Sequence, residues 1–149
     1  MRRSVYGLLL TVLLLPGLAA CEAFPQAPPP VTGAERDAIL AYSEPMTDNL
    51  MAAWTGGDFT AFSRDFGDAM NKALTEADFQ KARSTNTAKI GNYVSRTVDH
   101  IETRSNGYVV VFYKAKFTEE DPVTMRVSFE TATPHHVGGF FFNSPKLER

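Results

Sequence analysis

Apolar residues along the first half of the chain recur at helical spacing. Ile39, Tyr42, Met46, Leu50 and Trp54 fall on one helix face. Thr32 is placed to cap this helix, with Glu35 three residues on as the reciprocal partner of a capping box. Pro45 falls inside the pattern and should kink the helix or divide it, because it has no N–H and crowds the preceding turn. Gly56-Gly57 ends the element, and Asp58 caps the next. Residues 58–74 then read as a second helical segment, with Phe59, Phe62, Phe66 and Met70 on one face and Gly67 as an interruption. Thr75 opens a third helix, with Asp78 as a partial capping box and Phe79 and Ala82 turned inward.

The period changes after Ile90, where Gly91 marks a turn. Residues 92–104 are rich in Val, Thr, Tyr and Ile, and Asn106-Gly107 is a strong hairpin signal leading into an aromatic and β-branched strand over residues 108–117. The polar run 118–122 is a turn. Beyond it Val123, Met125, Val127 and Phe129 alternate with Thr124, Arg126, Ser128 and Glu130, the mark of a half-buried strand. Thr133-Pro134 turns the chain again, and residues 137–142 form a last strand, with Gly138-Gly139 as a bulge or point of close approach. Helices followed by an antiparallel meander predict an α+β domain over residues 34–149, its helices packed on one face of a curved four-stranded sheet. Phe140-Phe141-Phe142 puts aromatics on both faces of the last strand, so one side is core and the other is covered or forms a sticky patch.

The hydrophobic pattern at the amino terminus is of another kind. Met1-Arg2-Arg3 is a basic start, residues 5–15 are an apolar run centred on leucines, and Pro16-Gly17 breaks it. That is the architecture of a secretory signal. The run is short of the roughly 20 residues that span a bilayer. Leu18-Ala19-Ala20-Cys21 resembles a bacterial lipobox. The resemblance implies a diacylglyceryl group on the Cys21 sulfur and cleavage before it, which makes residues 1–20 a lipoprotein signal peptide. Acyl chains bind membrane with roughly 0.8 kcal/mol per buried methylene, so two or three anchor stably. Glu22 rather than Asp follows the cysteine, which favours the periplasmic face of the outer membrane in a host with two membranes. Residues 21–33 carry four prolines and read as an extended spacer that holds the domain off the bilayer.

Composition narrows the classes. The chain has 149 residues, 44% of them hydrophobic and 21% charged, which is ordinary for a folded protein with room for one domain. Its net charge is −2, and loss of Arg2 and Arg3 makes the mature form more acidic. With no basic run beyond the first residues, nucleic acid is an unsuitable partner. One cysteine excludes an internal disulfide and a cysteine-based metal site. Eleven phenylalanines point to a thick core or a lined cavity.

The order of elements resembles the cone-shaped, nuclear-transport-factor-two-like (cystatin-like) superfamily. The run Gly57-Asp58-Phe59, Phe62-Ser63, Asp65-Phe66, Met70, Leu74, Phe79, Gly91 and the strand from Tyr113 to Phe117 is similar to a family of small prokaryotic secreted proteins and lipoproteins. The superfamily hosts enzymes, binding modules and scaffolds alike, so the resemblance implies fold and no catalytic residue.

The candidate chemistry is thin. His135-His136 points to opposite faces if on a strand and so suits no shared metal; no metal or other cofactor is expected. Glu119-Glu120-Asp121 reads as a solvated hairpin tip. Enzymes of the cone fold often set an Asp or His deep in a cavity opposite a Tyr, and Asp99 or His100 with Tyr42 or Tyr113 are the residues that could do so. The bland alternative is tyrosines anchored by their hydroxyls at the core edge. Three expectations follow. The foremost is a membrane-anchored envelope protein, tethered through Cys21, that binds a small apolar ligand or an envelope protein on the sheet's concave face without catalysis. The second is an isomerase- or hydratase-type enzyme using the Asp/His–Tyr pair. The third is an assembly factor that forms a homodimer through its sheet.

Overall fold

The computed structural model describes residues 30–149. The expected signal peptide (residues 1–20), Cys21 and the expected spacer up to residue 29 lie outside the described residues. Four helices precede four strands: α1 (Gly33–Gly56), α2 (Phe59–Phe62), α3 (Asp68–Ala73), α4 (Glu76–Ile90), β1 (Tyr93–Arg104), β2 (Tyr108–Phe117), β3 (Val123–Glu130) and β4 (Val137–Asn143). The strands form one antiparallel sheet in the order β1-β2-β3-β4. This is the α+β arrangement that the switch of period predicts.

Local chemistry explains most boundaries. Gly57 adopts the left-handed conformation and closes α1, its N–H reaching the carbonyls of Ala53 and Trp54. Asp58 accepts from the Ala61 N–H at 3.0 Å and starts α2. Thr75 and Asp78 cap each other's backbone at the start of α4, a complete box where the sequence predicts a partial one. Three expectations are corrected. Thr32 sits at the N-cap of α1, but its side chain makes no capping bond, so no box forms with Glu35. Pro45 does not divide α1, which runs on for 24 residues. Residues 58–74 are two short helices rather than one segment. Between them Phe66 turns out of helix to bridge Val137, with Val137 N–H donating to the Asp65 carbonyl at 2.8 Å and Gly67 N–H to the Val137 carbonyl at 3.0 Å.

The core lies between α1 and the inner face of the sheet. Leu50 and Met51 from α1 meet Val111, Tyr113, Met125, Val127 and Phe129 from the central strands. Trp54, at the end of α1, contacts Phe62, Phe79, Phe140 and Phe142 with ring centroids 5.2–6.1 Å apart, so one side chain joins α1, α2, α4 and β4. On β4, Phe140 and Phe142 point inward, whereas Phe141 lies on the outer face, 54% exposed beneath the Arg126 guanidinium.

The passage from α4 into β1 is tightly tied. Glu119 N–H donates to the Ile90 carbonyl at 3.1 Å, Thr118 N–H to the Asn92 carbonyl at 2.9 Å, and Asn92 N–H to Thr118 Oγ1 at 3.0 Å. Gly91 makes this possible with φ 81° and ψ −160°, a region essentially closed to residues with a side chain. A Cβ there would also collide with Thr118 Oγ1. Gly91→Ala is therefore expected to destabilise the fold by about 1–3 kcal/mol or more. A urea unfolding midpoint equal to that of the unaltered protein would show that the junction relaxes freely.

Candidate functional site

A groove of about 660 Å³ lies between α3, α4 and β4. It exists because α3 is short and presents small residues. Ala69, Ala73 and Met70 form one wall, Ala82 and Phe79 a second, and Gly138, Gly139 and Phe140 the third. Trp54 and Phe62 line it, Leu147 closes one part, and Asn86 brings the only polar side chain among its lining residues. Such a size and apolar lining suit a small organic ligand. The groove flanks β4 rather than the middle of the concave face, where the sequence reading places binding. The middle is filled by Leu50, Val111, Met125 and Val127, all wholly buried.

Asp99, His100 and Tyr113 are not brought together. A register irregularity between Val98 and His100 turns Asp99 and His100 to the outer face of the sheet. There the Asp99 carboxylate meets Lys114 Nζ at 2.7 Å and His100 Nδ1 at 2.8 Å, and the His100 ring stacks on Phe112 with centroids 4.2 Å apart. Hydrogen bonding to Lys114 first, then to His100, holds the Asp99 carboxyl below the usual carboxylate range. Tyr113 points to the opposite, helix-facing side and is buried. Tyr42 also lies on the helix side, where its ring stacks on His135 at 4.0 Å; burial raises its phenol above the ordinary tyrosine value. The sheet thus separates both acid/base candidates from both tyrosines. His135 and His136 do not lie on a strand. His135 occupies the turn before β4 with φ 63°, its Nδ1 3.0 Å from the Glu130 carbonyl.

Tyr113 belongs instead to a polar cluster between α1 and the first two strands. Its hydroxyl donates to Glu44 Oε1 at 2.8 Å and lies 3.1 Å from Thr47 Oγ1, which itself donates to the Ser43 carbonyl at 2.8 Å. Arg96, with a side chain only 9% exposed, meets Glu44 Oε2 at 3.1 Å and Asp48 Oδ1 at 2.6 Å, and its guanidinium carbon lies 5.1 Å from the Tyr113 ring centroid. Burial opposes the charge on Arg96, but the hydrogen bond to Asp48 and the negative charges of Glu44 and Asp48 outweigh it and raise its pKa. Burial, reinforced by the Glu44 charge, likewise raises the Tyr113 phenol. The cluster positions α1 on the sheet, as the core-edge role foresees for tyrosine. The sequence reading missed Glu44, Asp48 and Arg96. The one available signal was Arg96 on an inward-facing position of β1, opposite Ala115.

Because native Tyr113 keeps its proton above the ordinary tyrosine value, the unfolded chain releases that proton first as pH rises. This contribution to stability is full below about pH 10 and declines above it. Tyr113→Phe should cost about 1–3 kcal/mol at neutral pH, from the lost bond to a charged group. The gap should narrow above pH 10 in urea titrations run at several pH values. A gap that widens there would contradict the assignment.

Comparison with known proteins adds a family and little chemistry. No curated protein matches the chain. AclR from Streptomyces galilaeus, described as a proposed hydroxylase, resembles it with a TM-score of 0.42 and 12% identity, over 72% of this chain and 83% of that one. Overlap of that degree carries no argument about activity. Among the described residues no helix is long and apolar enough to cross a membrane. The family described as "Protein of unknown function (DUF3887)" matches residues 48–133, from the second half of α1 through the turn after β3, and the chain belongs to that family.

Proposed function

We propose that this chain is a lipid-anchored protein of the bacterial cell envelope whose cone-like domain binds an apolar ligand and performs no catalysis. The groove between α3, α4 and β4 carries the reading: its volume of about 660 Å³ and its nearly unbroken aromatic and aliphatic lining are those of a binding site. Water held there makes few hydrogen bonds, so an apolar ligand gains by displacing it. The separation of Asp99 and His100 from Tyr42 and Tyr113 leaves the isomerase-type alternative without its acid/base pair. The lipobox-like residues ending at Cys21 and the proline-rich run after them support the anchor, and Glu22 favours the periplasmic face of an outer membrane in a host with two membranes.

The chain contains one tryptophan, and that residue lines the groove. An apolar ligand such as dodecanoate should therefore change Trp54 fluorescence saturably. Ala73→Phe, which fills the groove with an aromatic ring, should weaken binding at least tenfold while leaving the thermal midpoint within a few degrees. Unchanged affinity in that variant would move the site elsewhere. For the anchor, cells fed an alkyne-tagged fatty acid should label this protein, and Cys21→Ser should remove the label entirely. Label retained on the serine variant would show that Cys21 is not the attachment site.

A further inference from the structure

The two edges of the sheet are treated differently. β1 carries Arg96, Asp99, His100, Glu102 and Arg104 and two register irregularities. Its free edge is also occupied in part, since the Val31 N–H donates to the Ile101 carbonyl at 3.3 Å. Charges, bulges and a covering segment are the usual means by which an edge strand is kept from pairing. β4 has none of the charges: its sequence is Val-Gly-Gly-Phe-Phe-Phe-Asn, without a charged residue or a proline. Its single irregularity, opposite Ser128 and Phe129, lies at its beginning. Among the described residues, the backbone hydrogen bonds beyond the sheet on this strand fall at Val137 alone, where residues 65–67 start a parallel bridge and then turn away into α3. Among the described residues, none pairs with the outer edge of β4 from Gly139 to Asn143, and the apolar groove runs beside it.

An open edge next to an apolar groove has a defined complement. A fatty acid fills the groove but leaves the backbone groups of the edge to water. An extended polypeptide does both: its backbone pairs with the edge, and alternate side chains enter the groove. Ala69, Ala73 and Ala82 keep the far wall shallow, which leaves room for main chain beside β4. Building on the binding role of this groove, we propose that its occupant is an extended apolar segment of another polypeptide, added as a fifth strand beside β4. The segment is neutral, because the groove offers only Asn86 as a polar side chain.

The test uses the full chain in lipid nanodiscs. Random heptapeptides displayed on phage are selected against it, and the enriched sequences are synthesised in two N-methylated forms, one for each alternating set of backbone amides. In an added strand every second N–H points at the edge and the others point to solvent. The expected result is enrichment of uncharged apolar peptides that change Trp54 fluorescence and slow amide exchange between residues 139 and 143. One N-methylated form should bind at least tenfold more weakly than the other. Equal loss in both forms, or no enriched peptide while dodecanoate still binds, overturns strand addition and leaves the apolar-ligand reading intact. Failure of peptide and dodecanoate alike overturns both. Concentration-dependent sedimentation accompanied by protection of residues 139–143 without any peptide would show a second copy on the edge and also overturns the proposal.

Discussion

The position of Trp54 at the end of α1 governs the arrangement of everything around it. Its indole meets four aromatic rings drawn from α2, α4 and β4, and Phe62 and Phe79 also pack on each other with centroids 4.6 Å apart. The contacts of Trp54 with Phe79 and Phe142 are edge-to-face, a geometry that is directional as well as apolar, so the cluster sets angles and not merely distances. Arg83 reinforces the same corner by donating to the carbonyls of Trp54 and Thr55 at 2.7 and 2.9 Å, which adds a second donor to the Trp54 carbonyl beside the Gly57 N–H and supplies one to Thr55 where α1 stops. With the corner fixed, the short α3 lies beside β4 without filling the space next to it, and the groove is what remains.

The other half of α1 is held by opposite means. Glu44, Asp48 and Thr47 project from its middle toward Arg96 and Tyr113, so a helix gripped by apolar rings at one end is gripped by charge farther back. Sequestering an arginine is costly, and an apolar replacement of the whole cluster could prove as stable. What a charged cluster adds is discrimination: sliding α1 by one turn would leave a guanidinium in the interior without its carboxylates, whereas an apolar seam would tolerate the slip more readily. Arg96 Nε and Ser43 Oγ are buried without a partner, so the cluster is not fully satisfied even in place.

The alternation of Val123, Met125, Val127 and Phe129, the Asn106-Gly107 turn and the glycines at the ends of α1 and α4 made the order of elements legible before any coordinates. These signals are local, and local physics decides them. The Glu44–Arg96 pairing spans 52 positions and leaves no local trace, since an arginine on a half-exposed strand usually faces water. The break between α2 and α3 was visible only as Gly67, because the force that pulls Phe66 out of helix is its pairing with Val137, a distant residue. The groove was beyond reach for a related reason. Phenylalanine content announces aromatic volume, but where packing stops depends on how two short helices end. The chemistry assigned to Asp99 and His100 failed to meet Tyr113 because one irregularity in β1 decides which face a side chain occupies, and β-branched composition does not report it.

The unlike edges of the sheet also bear on how copies of this chain can associate. Growth of a sheet into an open-ended filament requires each molecule to offer two compatible edges, one to receive and one to give. Here the receiving edge at β4 is open, but β1 is charged, irregular and in part already occupied. A chain that docks on β4 therefore ends the sheet instead of extending it, and propagation stops after one step. The protein can keep an adhesive edge without seeding fibres of itself.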